Sequence, residues 1–157
     1  MTFSKDLADK NLVERYLLSL IEGVCFSMRD EKIKGKTISV RVRYSDFREV
    51  QRAKTVFLPT NDDTMIFSIA SMLFRNVVTR RISIRLIGVE ISNLCEDITQ
   101  EQIFNRKENK WERILACEQK LRVKYGKDII GFATSYRMKR KMVQEIKNST
   151  HIESIAA

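Results

Sequence analysis

The spacing of apolar residues along the chain predicts three helices. Over 13–28 apolar positions recur at helical spacing, and Asp9 stands where an N-cap belongs. The same spacing runs over 66–77, behind a cap and acidic first-turn groups at 60–63. It returns over 111–125, where a glycine follows at the position of a C-cap. Each helix should therefore turn one apolar face toward a core.

Alternating and β-branched residues predict strands between these helices. Residues 37–44 alternate polar with β-branched apolar side chains, the period of two that marks a half-buried strand. Residues 49–58 indicate its antiparallel hairpin partner, although their apolar positions keep no single parity. Residues 82–91 predict a further strand, in which Gly88 indicates a bulge or a close backbone approach. A short edge strand is expected around Phe3.

The order of these elements over 1–94 predicts an α+β fold. Strand, helix, strand, strand, helix, strand is the ferredoxin-like split βαβ arrangement, a four-stranded antiparallel sheet with two helices on one face. The apolar side chains of the strands then face the helices, and the opposite sheet face stays open. We expect Arg41, Arg43 and Arg85 to project from that open face.

The chain changes character after the domain predicted at 1–94. Residues 95–110 are polar and lack periodicity, which indicates a linker. Residues 111–157 predict a C-terminal helical tail, which contains the basic cluster 137–141. This helical extension is the third part of the predicted organisation.

The charge balance narrows the choice of partner. Lys and Arg number 29 against 20 Asp and Glu in 157 residues, a net charge of +9 at pH 7. Such a balance favours a polyanion such as nucleic acid, with a merely soluble basic domain as the alternative. Three separated cysteines and one histidine, His151, disfavour a disulfide framework, a zinc site and His-based hydrolysis. We expect a cytoplasmic protein with no membrane partner, since no signal peptide or membrane-spanning run is visible.

Several stretches resemble a known family. Residues 36–47 (KTISVRVRYSDF), 84–89 (IRLIGV) and 92–94 (SNL) resemble the little-finger domain of Y-family DNA polymerases, closest to the DNA polymerase IV type. Residues 2–4 resemble the family's entry into that domain, and 124–130 its C-terminal segment. The resemblance covers most of residues 2–135.

The resemblance implies a non-catalytic domain that grips the backbones of a primer–template duplex during error-prone translesion synthesis. Phosphate neutralisation gives affinity for any duplex without reading its sequence. Leu86 and Glu90 stand where other members often carry basic residues. For Lys36, the alternative to a DNA contact is a loop charge that serves only solubility. The candidate DNA-binding residues are Lys36, Arg41, Arg43, Arg52, Lys54 and Arg85.

The resemblance also implies what this chain does not supply. Polymerase chemistry in the family uses palm-domain carboxylates that hold two magnesium ions, and the palm motif is missing from this sequence. The adjacent pair Asp62 and Asp63 is read as a helix cap. We therefore expect no cofactor and no catalysis in this chain, with the polymerase's own palm, fingers and thumb as further partners and magnesium confined to the palm.

A second partner is implied by the pentapeptide at 100–104. Gln100, Ile103 and Phe104 resemble the Gln-x-x-aliphatic-Phe peptide by which many such polymerases dock on the replicative sliding clamp. An aliphatic and an aromatic anchor would enter an apolar pocket while the Gln bonds at its rim. The alternative is a linker that packs on its own domain.

Two other functions remain open at this stage. An RRM-like RNA-binding module shares an open sheet, but it would show aromatic residues on the exposed face, where this sequence places arginines. Tyr44 and Phe47 are expected to pack in the core or hairpin rather than to stack on bases. A protein-interaction domain would apply if neither DNA nor RNA bound.

Overall fold

The computed structural model describes residues 1–97, 110–126 and 129–135. The elements follow the predicted β-α-β-β-α-β order, with one more helix after the linker. Their bounds are β1 Thr2–Leu7, α1 Lys10–Asp30, β2 Ile33–Tyr44, β3 Glu49–Thr60, α2 Asp63–Val77, β4 Ile84–Glu96 and α3 Lys110–Tyr125. The α+β class and the four-stranded antiparallel sheet are thereby confirmed.

The sheet has the strand order β1-β4-β2-β3, so that β4 and β2 are central. In the usual ferredoxin-like sheet the first and third strands are central, so the present sheet shares the element order but not the strand order. Strands β2 and β4 are longer than predicted because they pair with each other along their whole length, from Arg43 opposite Leu86 to Ile33 opposite Glu96. The last strand consequently runs past residue 94.

Both helices of the domain begin at the predicted caps. Asp9 accepts hydrogen bonds from the backbone of α1, including one of 2.9 Å from the Asn11 N–H. Asp62 does the same for α2, at 2.8 Å from the Thr64 N–H. These bonds satisfy N–H groups that have no partner within the helix. Gly126, with φ of +104°, ends α3 in the left-handed conformation expected of a C-cap glycine.

The core lies between the two helices and one face of the sheet. The predicted apolar strand positions are fully buried there, and Tyr44 donates its hydroxyl to the Val77 carbonyl at 3.0 Å. Phe3 of the edge strand packs its ring 5.1 Å from that of Tyr16 on α1. Within the described residues, α1 and α2 both pack on this one face, as expected. The fully buried residues shared by helices and sheet include Val13, Leu17, Ile21, Ile38, Val40, Val42, Ile66 and Ile87.

The irregularity in β4 lies elsewhere than predicted. Gly88 pairs regularly with Arg41, whereas the register shifts between Arg43 and Tyr44, opposite Arg85. The glycine that close packing requires is Gly35 on β2, where a Cβ would stand 2.3 Å from a methyl carbon of Ile91.

Helix α3 docks on α1 and α2 through buried charges. The Arg122 side chain is 1% exposed; it lies 4.0 Å from Asp63 and 2.5 Å from Glu118. Arg29 on α1 is also paired with Asp63. Burial lowers the pKa of Arg29, but the hydrogen bond and charge of Asp63 outweigh it and raise the pKa overall. We call Arg29, Asp63, Glu118 and Arg122 the α3 docking cluster.

The segment after α3 returns to the same helix layer. Glu22 of α1, which is fully buried, accepts hydrogen bonds from the Phe132 N–H at 2.8 Å and from the Ser135 hydroxyl at 2.9 Å. These bonds satisfy a carboxylate that would otherwise be costly to bury. No helix in the described part of the chain is long and apolar enough to cross a membrane.

Candidate nucleic-acid interface

The open face of the sheet is built mostly from small, polar and charged side chains. Arg41 pairs with Gln51 on β3 and Gly88 on β4, and such opposite residues share a face. Its neighbours Val40 and Val42 are buried against the helices, so Arg41 lies on the other side. The register places on this open face Thr37, Ser39, Arg41, Arg43, Glu49, Gln51, Ala53, Thr55, Leu86, Gly88, Glu90 and Ser92.

Two arginines on the open face share one carboxylate. Arg43 donates from Nε and Nη2 to a Glu49 oxygen at 2.9 and 2.7 Å. Arg41 Nε lies 3.3 Å from the other Glu49 oxygen. The two guanidinium side chains are 48% and 40% exposed. Arg41, Arg43 and Glu49, the open-face triad, thus carry a net charge of +1.

The open-face triad keeps binding capacity for an anion. Each guanidinium has five N–H donors, and Glu49 with Gln51 engages only some of them. An exposed ion pair is worth only about 0.2–1 kcal/mol, because water competes for both partners. A phosphate oxygen can therefore add to this pair or replace the carboxylate at little cost.

Three other predicted DNA contacts lie on the opposite side of the sheet. Arg52 pairs with Val40 and Lys54 with Ile38, so they share the face of those buried residues. Alternation along β2 gives Lys36 the same side as Ile38. All three cations are exposed. The structure does not bring them together with Arg41 and Arg43. For Arg52 and Lys54, the unclear parity of β3 concealed this.

Arg85 stands at the register irregularity and contacts the end of the hairpin. Its guanidinium carbon lies 4.6 Å from the centroid of the Phe47 ring, a cation–π contact. Tyr44 is buried, as predicted, but Phe47 is 66% exposed and does not enter the core. Sequence reasoning missed this exposure because it depends on the turn conformation.

Asp46 organises the charges at the same end of the sheet. It accepts a hydrogen bond from Arg80 at 2.7 Å and another from the Arg48 backbone N–H at 3.2 Å. The bond from Arg80 holds the pKa of the Asp46 carboxyl below its usual value. Arg80 also lies over the Tyr44 ring, 5.2 Å from its centroid. Neither Arg80 nor Glu49 was a predicted site residue, although Glu49 directly opposite Arg43 follows from a short hairpin turn.

Some predicted features lie outside the described residues. Gln100, Ile103 and Phe104 fall in the part of the chain that the structure does not describe, as does the basic cluster 137–141. Within 1–97, 110–126 and 129–135, no three His, Cys, Asp or Glu side chains are grouped so as to hold a metal ion.

The family follows from a comparison of the sequence with known domains. The impB/mucB/samB family C-terminal domain matches residues 1–103. The chain belongs to this family. It is a little-finger domain of the Y-family DNA polymerases, of the DNA polymerase IV type, and the predicted resemblance is thereby confirmed.

Relatives and structures agree with this assignment. DNA polymerase IV 2 of Agrobacterium fabrum is 40% identical over 96 residues, which cover 61% of this chain and 27% of that protein. DNA polymerase IV of Treponema denticola is 33% identical over 132 residues, 82% of this chain and 33% of that protein. The little finger thus spans about a third or less of these relatives. A Y-family polymerase chimera, Dbh-Dpo4(243-245)-Dbh, shares the fold with a TM-score of 0.53 at 18% identity, over 61% of this chain and 27% of the chimera.

Proposed function

We propose that this little finger is a non-catalytic, sequence-independent duplex-binding domain of a translesion DNA polymerase. The observation that carries the proposal is the open-face triad, which holds two half-exposed guanidinium groups on the sheet face opposite α1 and α2. Membership in a domain family of DNA polymerases supports DNA as the polyanion. The primer–template duplex is the proposed ligand, and the polymerase's palm, fingers and thumb are the proposed neighbours.

The chemistry of the open face suits phosphate rather than base recognition. Some positions around Arg41 are small, as at Gly88 and Ala53, which leaves room for a phosphate beside its guanidinium group. Phosphate contacts fix a protein on a duplex without reading its sequence. From Glu49 to Thr55 on β3, the open-face residues and their partners on β2 and β4 bear no aromatic ring, which disfavours the stacking mode of RNA-binding sheets.

The carboxylates of the adjacent pair Asp62 and Asp63 are already engaged. Asp62 caps α2 and accepts a hydrogen bond of 2.8 Å from the Trp111 indole, while Asp63 is paired with Arg29 and Arg122. Neither is placed to hold a catalytic magnesium ion. We infer that nucleotide transfer depends on the palm and that this domain contributes grip on the DNA.

Binding and incorporation assays test this proposal together. Two labelled duplexes of unrelated sequence should bind with Kd values within about twofold of each other, because phosphate contacts supply the affinity. Affinity should fall steeply as salt rises, and added magnesium with nucleotides should extend no primer. Extension by this chain alone, or an affinity that salt does not change, would overturn the proposal.

We also propose that the pentapeptide at 100–104 docks on the replicative sliding clamp. Replacing both Ile103 and Phe104 by Ala should lower clamp affinity at least tenfold, since each buried anchor is worth about 1.5–3 kcal/mol. Gln100→Ala should cost less, about 0.5–1.5 kcal/mol for one rim hydrogen bond. Melting temperature and clamp affinity are measured on the same variants. If the parent does not bind the clamp and the Ile103 and Phe104 variant melts at a lower temperature than the parent, the segment instead packs on its own domain.

A further inference from the structure

Phe47 stands in the β2–β3 turn in a conformation that does not serve the fold. Its φ is +62°, and its side chain is 66% exposed. Left-handed backbone is uncommon for a bulky residue and costs about 1–3 kcal/mol when the surroundings impose it. An exposed ring also gains nothing from burial. Asn or Gly would suit this position better, so the stability of the turn does not explain the phenylalanine.

The surroundings of Phe47 are basic and ordered. The Arg85 guanidinium lies against the ring, 4.6 Å from its centroid. Ser45 donates its N–H to the Ser83 carbonyl at 2.9 Å, which joins the turn to the segment before β4. Arg80 is tied to Asp46 at 2.7 Å, and the Arg48 side chain is 77% exposed. An aromatic ring with a cation on it and a further exposed cation in the same turn is the pattern of a base-stacking platform. Here the further cation is Arg48, whose Nε lies 4.0 Å from an Asp46 oxygen.

We propose that Phe47 stacks on an unpaired base of a DNA strand, with Arg85 holding the ring in place and Arg48 meeting the adjacent phosphate. Stacking on an aromatic ring tolerates every base, since each base has a π face. The arginine surroundings favour a polyanion over an apolar protein pocket as the partner.

The site lies at the end of the open face. Arg43 precedes Tyr44, whose carbonyl accepts the Phe47 N–H at 3.0 Å, and Arg43 pairs with Leu86, the residue after Arg85. If a DNA duplex is held on the open face, a single DNA strand that extends beyond the duplex end would pass this turn. The inference rests on the proposed duplex binding only for the position of the unpaired DNA strand next to this turn. Base stacking on Phe47 can be measured independently of duplex binding.

The test compares Phe47→Asn with Phe57→Asn. Asn tolerates the left-handed conformation at position 47, so the fold is retained. Phe57 is the matched control, because it is another phenylalanine of the same hairpin and is 93% exposed, but it lies toward the far end of β3. Fluorescence anisotropy measures the binding of a blunt duplex and of the same duplex with a single-stranded 5′ overhang.

We expect the parent to prefer the overhang by about fivefold or more, the size of one stacking contact. Phe47→Asn should lose this preference, bind the blunt duplex as before and melt no earlier than the parent. Phe57→Asn should keep the preference. Retention of the preference in Phe47→Asn, or equal binding of both DNAs by the parent, would overturn the inference. A parent that binds the overhang but not the blunt duplex would instead contradict the proposed duplex binding alone.

Discussion

The open-face triad and the α3 docking cluster use the same chemistry in opposite surroundings. Both join arginine guanidinium groups to carboxylates. The Arg41 side chain is 48% exposed, whereas that of Arg122 is 1% exposed. Water can replace the partner of an exposed arginine, but nothing replaces the partner of a buried one. The triad is therefore suited to exchange its carboxylate for a ligand, and the cluster is suited to hold α3 in place.

Burial also explains why the two regions should respond differently to mutation. Breaking a buried pair leaves an uncompensated charge, which costs far more than the pair contributes. Breaking an exposed pair leaves two solvated groups and changes stability little. Mutations in the cluster should thus act on folding, and mutations in the triad on binding.

The largest expected effect is on stability, from Arg122→Ala. The substitution leaves Glu118 and the Ile130 carbonyl without the guanidinium that now contacts them. We expect the free energy of unfolding to fall by about 3–5 kcal/mol, as for other broken buried pairs. Urea unfolding measures the change, and Lys120→Ala, at an exposed position of the same helix, is the control. A loss below about 1 kcal/mol would show that α3 docking is marginal.

A smaller effect is expected from Glu49→Gln, which should raise the affinity for DNA. Removing this carboxylate takes a negative charge from beside Arg41 and Arg43. A unit charge about 6 Å from a phosphate in water contributes about 0.7 kcal/mol, so affinity should rise about threefold at low salt. Stability should change by less than about 1 kcal/mol. Glu31→Gln, at the far end of α1, should leave affinity unchanged; weaker binding by Glu49→Gln would contradict the proposed role of the triad.

The smallest effect concerns acid pH at the hairpin turn. The pKa of Asp46 is lowered in the fold by its bond from Arg80, so the carboxylate favours the folded state. This contribution is present above the unfolded pKa, about 3.9, and is lost as pH falls through the folded pKa. NMR titration should show the Asp46 midpoint rising toward its ordinary value in Arg80→Ala. An unchanged midpoint would mean that another group lowers the pKa.

The sequence was informative where local patterns decide the structure. Residue type and spacing predict the caps at Asp9 and Asp62 and the C-cap at Gly126. They also predict the sequence in which strands and helices follow one another along the chain. The side of β2 that bears Arg41 follows equally from simple alternation. These features depend on neighbours within a few residues.

Features that depend on distant contacts could not be predicted in this way. Arg122 and Glu22 are charged residues on amphipathic helices, and only the folded arrangement shows that both are buried. The irregular parity of β3 concealed that Arg52 lies on the helix side of the sheet. Phe47 is an ordinary aromatic residue in the sequence, and its exposure depends on a left-handed turn.

The salt dependence of duplex binding tests the central claim most directly. Each phosphate contact contributes about −0.9 to the slope of log K against log salt. Arg41→Ala/Arg43→Ala should therefore reduce the slope by about 1.8, whatever the duplex sequence, with the fold checked by circular dichroism. Arg52→Ala/Lys54→Ala, which removes two cations from the other face of the same hairpin, should leave the slope nearly unchanged. Equal slopes for the parent and Arg41→Ala/Arg43→Ala, with a reduced slope for the Arg52 and Lys54 variant, would contradict DNA binding by the open face.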